Sequence, residues 1–389
     1  MTAGPPHPAL TGGPVYLDYN ATTPVDPRVT DAMLPYLTLG FGNPSSSHPY
    51  ADAPRAALHQ ARTQVADLIG ARPAEIVFTG SGSEADLLAI RGAALVAGRA
   101  RTHVITQSTE HPAVLATCRA LQRLHGIRVT VLPVDADGVL NPATLAAAID
   151  ADTALVSVMA ANNETGTLQP IRDLAAIAHQ HGSLFHSDAA QAAGKIPVDV
   201  DDLGVDLLTV VGHKLYAPKG IAALYVRDAV QLEPVVYGGG QERGLRAGTE
   251  NVALAVALGT AASLAAADLA DGAPARLAAL RDDLHHRLCT ALPGRVHRNG
   301  SAQHCLPNTL NVSIDGIQGH ELLAATPQIA ASTGSACHSG RHTPSPVLTA
   351  MGLDTLRALG ALRLSLGRWS TPHDVETASS ALIPSGTHA

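Results

Sequence analysis

Lysine is nearly missing from this chain. Of its 26 lysines and arginines only three are lysine, Lys195, Lys214 and Lys219. Arginine can serve most surface roles of lysine, but it stays protonated and cannot condense with an aldehyde. A chain that does without lysine elsewhere and keeps three in one central stretch invites a chemical reason; a biased genome is the plain alternative. Aromatic residues are scarce as well, at 3%, and charged residues make up only 15% against 46% hydrophobic. The core is therefore expected to be large and aliphatic. There is no excess of positive charge: the net charge of -7 argues against a nucleic-acid footprint, and no direct nucleic-acid binding is expected. The four cysteines, Cys118, Cys289, Cys305 and Cys337, have the spacing of neither a metal knuckle nor a disulfide framework, so no metal site is expected. The opening MTAGPPHPALTGG lacks the basic-then-apolar order of a secretory signal. No apolar run is expected to cross a membrane, because the alanine-rich stretches are broken by Asp, Arg and His. These absences point to a soluble cytoplasmic protein.

What is present is a regular alternation. EIVF, HVITQ, RVTVL, TALVSV, SLFHSD, VDLLTVV and IAALYV are short apolar runs, most of them ending in polar residues, with helical spacing between many of them. Such a pattern predicts an α/β domain with a mostly parallel sheet covered by helices, with ligands beyond the carboxyl ends of the strands. A long helical run from about Val252 to Leu292, with a break near ADGAPA, leads into mixed helix and strand. The expected organisation is an N-terminal arm over 1–14, a large domain over 15–262 and a smaller C-terminal α+β domain over 263–389.

Three strand ends carry chemistry. TGSGSEAD (79–86) places Gly82 and Ser83 where a strand turns into a helix, expected to begin near Glu84; free N–H groups there make either an anion cradle or an ordinary turn. HSDAAQ (186–191) puts Asp188 and Gln191 after an apolar strand, where an aspartate can pair with a ring nitrogen or simply cap a helix. VVGHKLYAPKG (210–220) ends a strand on His213 and Lys214, an unusual place for a surface lysine, whereas Lys195 and Lys219 have ordinary loop settings. An anion cradle, an acid and an amine at strand ends of one sheet suit pyridoxal 5'-phosphate, which presents a phosphate, a pyridine nitrogen and an aldehyde. A fourth stretch, ASTGSACHSGRH (331–342), sets Cys337 among small polar residues, where a buried structural thiol would lack apolar neighbours.

The ordered motifs VYLDYNATTP, FGNPSS, TGSGSEAD, TEHPAV, ANNETG, HSDAAQ, GHKLYAPKG, GGGQERGLRAGTEN, GSACHSG and ALRLSLGRW resemble those of the NifS/IscS-type cysteine desulfurases and selenocysteine lyases. The resemblance runs from residue 15 to residue 369. It implies the PLP-dependent aspartate-aminotransferase-like fold (fold type I), with a seven-stranded, mostly parallel sheet in the large domain. It also implies roles. Lys214 would hold the cofactor through its amine and remove the substrate Cα proton. His111 would stack on the ring, although its place before Pro112 also suits a helix cap. Asp188 would keep a proton on the ring nitrogen, with Asn163 and Gln191 near the ring oxygen. Gly82, Ser83 and His213 would bind the phosphate, and Thr249 would reach the phosphate of a partner subunit in a homodimer. Asn163 and Arg363 would bind the substrate, Arg363 clamping its carboxylate with a bidentate fork; without the resemblance Arg363 reads as a half-exposed strand residue. Cys337 would take up sulfur as a persulfide and pass it to an acceptor. His338 beside it either favours the thiolate or is a plain surface histidine. Cys118, on a helical pattern, reads as packing; Cys289 and Cys305 have no comparable context.

Two positions depart from the pattern. Val211 stands where the family usually has a phosphate-binding serine, and Ser83 where threonine is usual. The expected activity is conversion of L-cysteine to L-alanine with sulfur transfer, serving iron–sulfur cluster assembly, tRNA thiolation, cofactor synthesis or DNA sulfur modification. The alternative is selenocysteine lyase, favoured by the valine before GHK and by GIQGHELLA and ACHSG, and opposed by Pro112 after His111. A non-enzymatic relative and an aminotransferase are further alternatives, the first opposed by the intact set of site residues and the second by the loop cysteine.

Overall fold

The structure is a computed structural model describing residues 6–98, 100–334, 337–338 and 341–383, with the backbone alone at 337, 338, 341 and 342. Seven strands form its main sheet: β1 (Ile76–Thr79), β2 (His103–Gln107), β3 (Arg128–Leu132), β4 (Thr153–Ser157), β5 (Leu184–Asp188), β6 (Leu207–Val211) and β7 (Ala222–Val226). Their spatial order is β1-β7-β6-β5-β4-β2-β3. All neighbours are parallel except those of β7, which runs antiparallel to both β1 and β6. Successive side chains leave a strand on opposite faces. Thus Ile105, Val156, Phe185 and Leu208 enter one apolar core, and their chain neighbours Val104, Leu155 and Leu207 enter the core on the other side. Burial on both faces explains why these strands read as unbroken apolar runs. Each such side chain contributes roughly 1.5–3 kcal/mol, and truncation to alanine at fully buried Leu208 would cost about 2–5 kcal/mol.

Local signals at their ends set several of the helices over the sheet. α1 (Asp52–Leu68) ends before Gly70, whose φ of +69° suits a left-handed stop. α2 (Gly82–Ala97) is capped by the Ser81 side chain, which accepts from the Glu84 N–H; it starts two residues earlier than the charge at Glu84 suggests. α3 (Pro112–His125) buries Val114, Cys118 and Leu121, spaced as one helical face. α4 (Ile171–Gln180) follows β4. α5 (Val252–Ala270) and α6 (Ala273–Ala291) are separated at Gly272, with φ +78°, at the expected break.

Helix α5 corrects one expectation. Its 19 residues, with a mean hydropathy of 1.8, are long and apolar enough to cross a membrane. Half of that stretch is buried, because small residues let it lie close on α1: a Cβ on Gly259 would come within 2.6 Å of the Ala61 Cα.

The smaller C-terminal region builds a three-stranded antiparallel sheet, β8 (Val296–Arg298), β9 (Thr309–Ile314) and β10 (Ala361–Ser365), with β9 in the middle. α6 and α7 (Pro372–Ala381) cover it, and Leu284, Leu310, Leu362 and Val375 share its core. Leu17 belongs to this core too, and Val15–Tyr16 pairs in parallel with Ile329–Ala330. The segment just after the arm therefore packs with the C-terminal elements, not with the large sheet. The arm is anchored from His7, which hydrogen-bonds the Val25 carbonyl at 2.8 Å and meets the Trp369 ring edge-on at 4.6 Å.

Candidate active site

The carboxyl ends of the parallel strands open into a cavity of about 530 Å³. Among the residues lining it are Gly82, Ser83, His111, Asn163, Asp188, Gln191, His213, Lys214 and Arg363. Nine residues singled out from sequence thus share one cavity, though they span most of the chain.

Lys214 closes a single 3₁₀ turn, Gly212–Lys214, directly after β6. Its Nζ donates to the carbonyls of Asn20 and Ala21, both at 2.7 Å. Burial, reinforced by the charge of Arg363, lowers its pKa to about 8. The turn is held by Tyr216, whose φ of +66° is unusual for a residue with a side chain and costs on the order of 1–2 kcal/mol. The surroundings offset this: the Tyr216 N–H donates to Thr23 Oγ1 at 2.9 Å, its hydroxyl accepts from the Arg368 N–H at 2.7 Å, and the Arg368 guanidinium lies 4.2 Å from its ring centre.

Asp188 ends β5 and is buried. Burial raises its pKa, opposed by the Ala190 N–H at 2.9 Å and by His111 and Lys214. His111 caps α3, Nδ1 accepting from the Ala113 N–H at 3.2 Å, and it also lines the cavity. Burial lowers its pKa, reinforced by Lys214 and opposed by Asp188. His213 is pushed down to about 4 by burial and by Lys214 and Lys219.

At the start of α2 the Ser81 hydroxyl caps Glu84, leaving the N–H groups of Gly82 and Ser83 to face the cavity, as first-turn helix donors do. Only glycine fits at 82: a Cβ there would lie 2.6 Å from Val211 Cγ2. Val211 therefore fills the space beside the turn with a methyl group where the resembling family places a hydroxyl.

Arg363, in the central part of β10, is buried, not half-exposed. Its Nη2 donates to Asp18 Oδ1 at 2.7 Å and its Nη1 to the Asn163 carbonyl at 3.4 Å. Its Nε is buried without a partner among the described residues. Thr249 is exposed and does not line this cavity. Its loop is tied beside the phosphate turn by Arg246, whose Nε donates to Glu84 Oε1 at 2.9 Å. The side chains of Cys337 and His338 lie outside the described residues; the backbone of Cys337–His338 pairs antiparallel with Arg341–His342.

Several residues here were not apparent from sequence. Asn20 accepts from four side chains: its carbonyl from Lys214 and from Gln191 Nε2 at 3.0 Å, and its Oδ1 from Lys195 Nζ at 3.1 Å and Asn308 Nδ2 at 3.0 Å. Lys195 also donates to Gln191 Oε1. Both ends of the Gln191 amide are therefore engaged, and Lys195 has no ordinary loop setting. Burial, with Lys214 and Arg363 nearby, holds the Lys195 pKa well below the usual amine range. Asp86, one turn into α2, is buried at the cavity wall, its Oδ1 3.8 Å from His186 Nε2. Burial and the charge of Asp188 raise its pKa well above the usual range. Glu110 is pushed up to about 8 by burial. Burial and mutual repulsion thus disfavour ionisation of Asp86, Glu110 and Asp188 together. Glu164 is pushed up to about 7 by burial, opposed by Ser345 and Arg363. Away from the cavity, Cys118 is buried and its thiol raised to about 12, as packing implies. Cys305 does have a context: its Sγ lies 3.2 Å from Arg281 Nη1 and 3.0 Å from Arg298 Nη2.

The lysine at a strand end, the acid behind it and the helix N-terminus meet at one cavity on a fold of type I. The chain belongs to the class-V aminotransferase family, whose model matches residues 15–377. Within that family its similarity is to cysteine desulfurases. It is 47% identical over 365 residues to the cysteine desulfurase of Gluconacetobacter diazotrophicus, covering 93% of this chain and 90% of that protein. Among solved structures, a NifS-like protein matches with a TM-score of 0.88 at 36% identity, over 95% of this chain and 98% of that one. The structure of SspA in complex with cysteine matches with a TM-score of 0.80 at 39% identity, over 92% and 99%.

Proposed function

We propose that the chain is a cysteine desulfurase that uses pyridoxal 5'-phosphate, converts L-cysteine to L-alanine and carries the sulfur away on Cys337. The carrying observation is the convergence of Lys214, Asp188, the α2 N-terminus and Arg363 on one cavity. Relatives named as cysteine desulfurases and a neighbour solved with cysteine bound support it.

The residues fit the cofactor. The open N–H groups of Gly82 and Ser83, with His213, suit a phosphate; Asp188 suits a protonated pyridine nitrogen; the His111 imidazole suits a ring face; and Lys214, pKa about 8, is the amine to hold it. Bound there, pyridoxal 5'-phosphate supplies an aldehyde and an electron sink. Arg363, steadied by Asp18, binds the substrate carboxylate. With the cofactor in place, Lys214 would take the substrate Cα proton, a task its lowered pKa suits. The Cys337 thiolate attacks the substrate sulfur and the Cβ–S bond breaks. The electron pair stays with the three-carbon fragment, which is protonated and leaves as L-alanine, and Cys337 is left as a persulfide for an acceptor protein.

The reading includes a homodimer. Thr249 is exposed beside the phosphate turn, and Leu34, Leu37, Leu39, Phe41 and Tyr50 are all more than half exposed, an amount of apolar surface that calls for cover. The selenocysteine lyase alternative is disfavoured by the desulfurase relatives and by Pro112 after His111. Alanine release from L-cysteine and L-selenocysteine at matched concentration tests this. Robust turnover of cysteine is expected; turnover of selenocysteine alone overturns the proposal.

A further inference from the structure

The segment that carries Cys337 leaves the described fold at Gly334 and rejoins it fully at Thr343–Ser345. Both feet rest on one carboxyl group. Ser345 Oγ donates to Glu164 Oε2 at 2.5 Å, and the same hydroxyl accepts from the N–H groups of Val347 and Leu348, capping the helix Pro346–Ala350. On the other foot, Gly334 lies so close that a Cβ would be 2.4 Å from Glu164 Oε2 and 2.9 Å from its Cδ. With φ +73° there, glycine is required twice over. This foot is also stitched to the substrate clamp: the Arg363 N–H donates to the Ser332 carbonyl at 2.6 Å, and the Gly334 N–H donates to Ser332 Oγ at 3.1 Å.

Glu164 is itself anchored. It is buried, its N–H donates to Asn162 Oδ1 at 2.9 Å, and its carbonyl accepts from Asn311 Nδ2 at 3.2 Å. It directly follows Asn163, whose carbonyl receives Arg363 and Asn20. One residue thus joins both feet of the cysteine segment, through its side chain, to the residues expected to hold the substrate, through its backbone.

We propose that Glu164 is a positioning residue that clasps Gly334 and Ser345 and thereby sets where Cys337 can meet the substrate sulfur. Three peptide steps lead from Gly334 to Cys337, a reach of at most about 11 Å, so the position of the foot bounds where the thiol can go. This rests on the desulfurase reading above, in which Cys337 receives the sulfur.

The test uses the cofactor-loaded enzyme and three variants, Glu164→Ala, Glu164→Gln and Ser345→Ala. L-cysteine binding is followed by the change in cofactor absorption, persulfide on Cys337 by rapid quench and intact mass, and the tie at the feet by the rate of tryptic cleavage after Arg341. Glu164→Ala should bind L-cysteine as the wild type does, form the persulfide about 10-fold to 100-fold more slowly, and be cleaved faster. Glu164→Gln, which keeps an acceptor for Ser345, should recover most of the persulfide rate, which a role in bulk stability alone would not require. If Glu164→Ala does not hold the cofactor, Ser345→Ala decides by the same three readouts. A wild-type persulfide rate in the deciding variant overturns the proposal. Absence of persulfide in the wild type would instead remove the functional reading on which it stands.

Discussion

Lys214, Asp188 and His111 approach the cavity from strand ends and a helix start of the large sheet, while Asp18, Asn20, Glu164 and Arg363 approach it from loops and the smaller antiparallel sheet. On the first side each residue follows an apolar strand buried on both faces, and a local cap or turn fixes its direction. On the second side position depends on side chains far apart in sequence: Arg363 on Asp18, Asn308 on Asn20, Ser345 on Glu164. The first arrangement fixes where chemistry happens. The second brings a clamp and a loop to it and is adjusted by single contacts.

The comparison breaks most visibly at Lys214. Lys214→Ala should lower alanine formation at least about 10³-fold, within the range lost with a proton-transfer group, while the sheet and its thermal transition stay near those of the wild type. Borohydride reduction followed by peptide mapping should place the cofactor adduct on Lys214; an adduct on Lys195 or Lys219 would contradict the strand-end argument. On the other side, Arg363→Lys should raise KM about 10-fold to 100-fold, since the charge remains and the fork is lost. Steady-state kinetics giving a fall in kcat at unchanged KM would contradict a substrate clamp.

Lys195 joins the two sides through Asn20 and Gln191. Lys195→Met leaves buried acceptors unpaired and should cost about 1–3 kcal/mol of stability, measured by denaturant unfolding, with weaker cofactor retention. A further effect is one of pH. Glu110 titrates at about 8 when folded and near 4.3 when unfolded, so between these values the folded state binds the extra proton. Stability should then fall as pH rises through that window, by about 1.4 kcal/mol per unit. Glu110→Gln, which keeps an acceptor for the Met159 N–H, should remove this slope; an unchanged slope would assign it elsewhere.

What could be read from sequence follows the same division. Gly82, Asp188 and Lys214 were legible because each stands at the end of an apolar run, a local pattern. The sheet was legible for the same reason, and the reversed direction of β7 was not, since parallel and antiparallel strands buried on both faces look alike. Asn20, Lys195, Asp86 and Glu164 carry no local signal. Their importance arises from contacts spanning up to most of the chain, as does the burial of Arg363, which the strand pattern alone put half in solvent. The Val252–Ala270 helix was misjudged because its small residues mark close packing on α1, a partner that its own sequence does not reveal.

The central claim is that the cavity residues deliver a substrate sulfur atom to Cys337. Its most direct test is the intact mass of the cofactor-loaded enzyme after L-cysteine is added without reductant, wild type beside Cys337→Ala. The wild type should gain the mass of one sulfur atom, located by digestion to Cys337, and release alanine with it, while Cys337→Ala keeps its cofactor colour and gains nothing. Alanine released by Cys337→Ala at the wild-type rate, or sulfur found on another cysteine such as Cys305, would contradict the account.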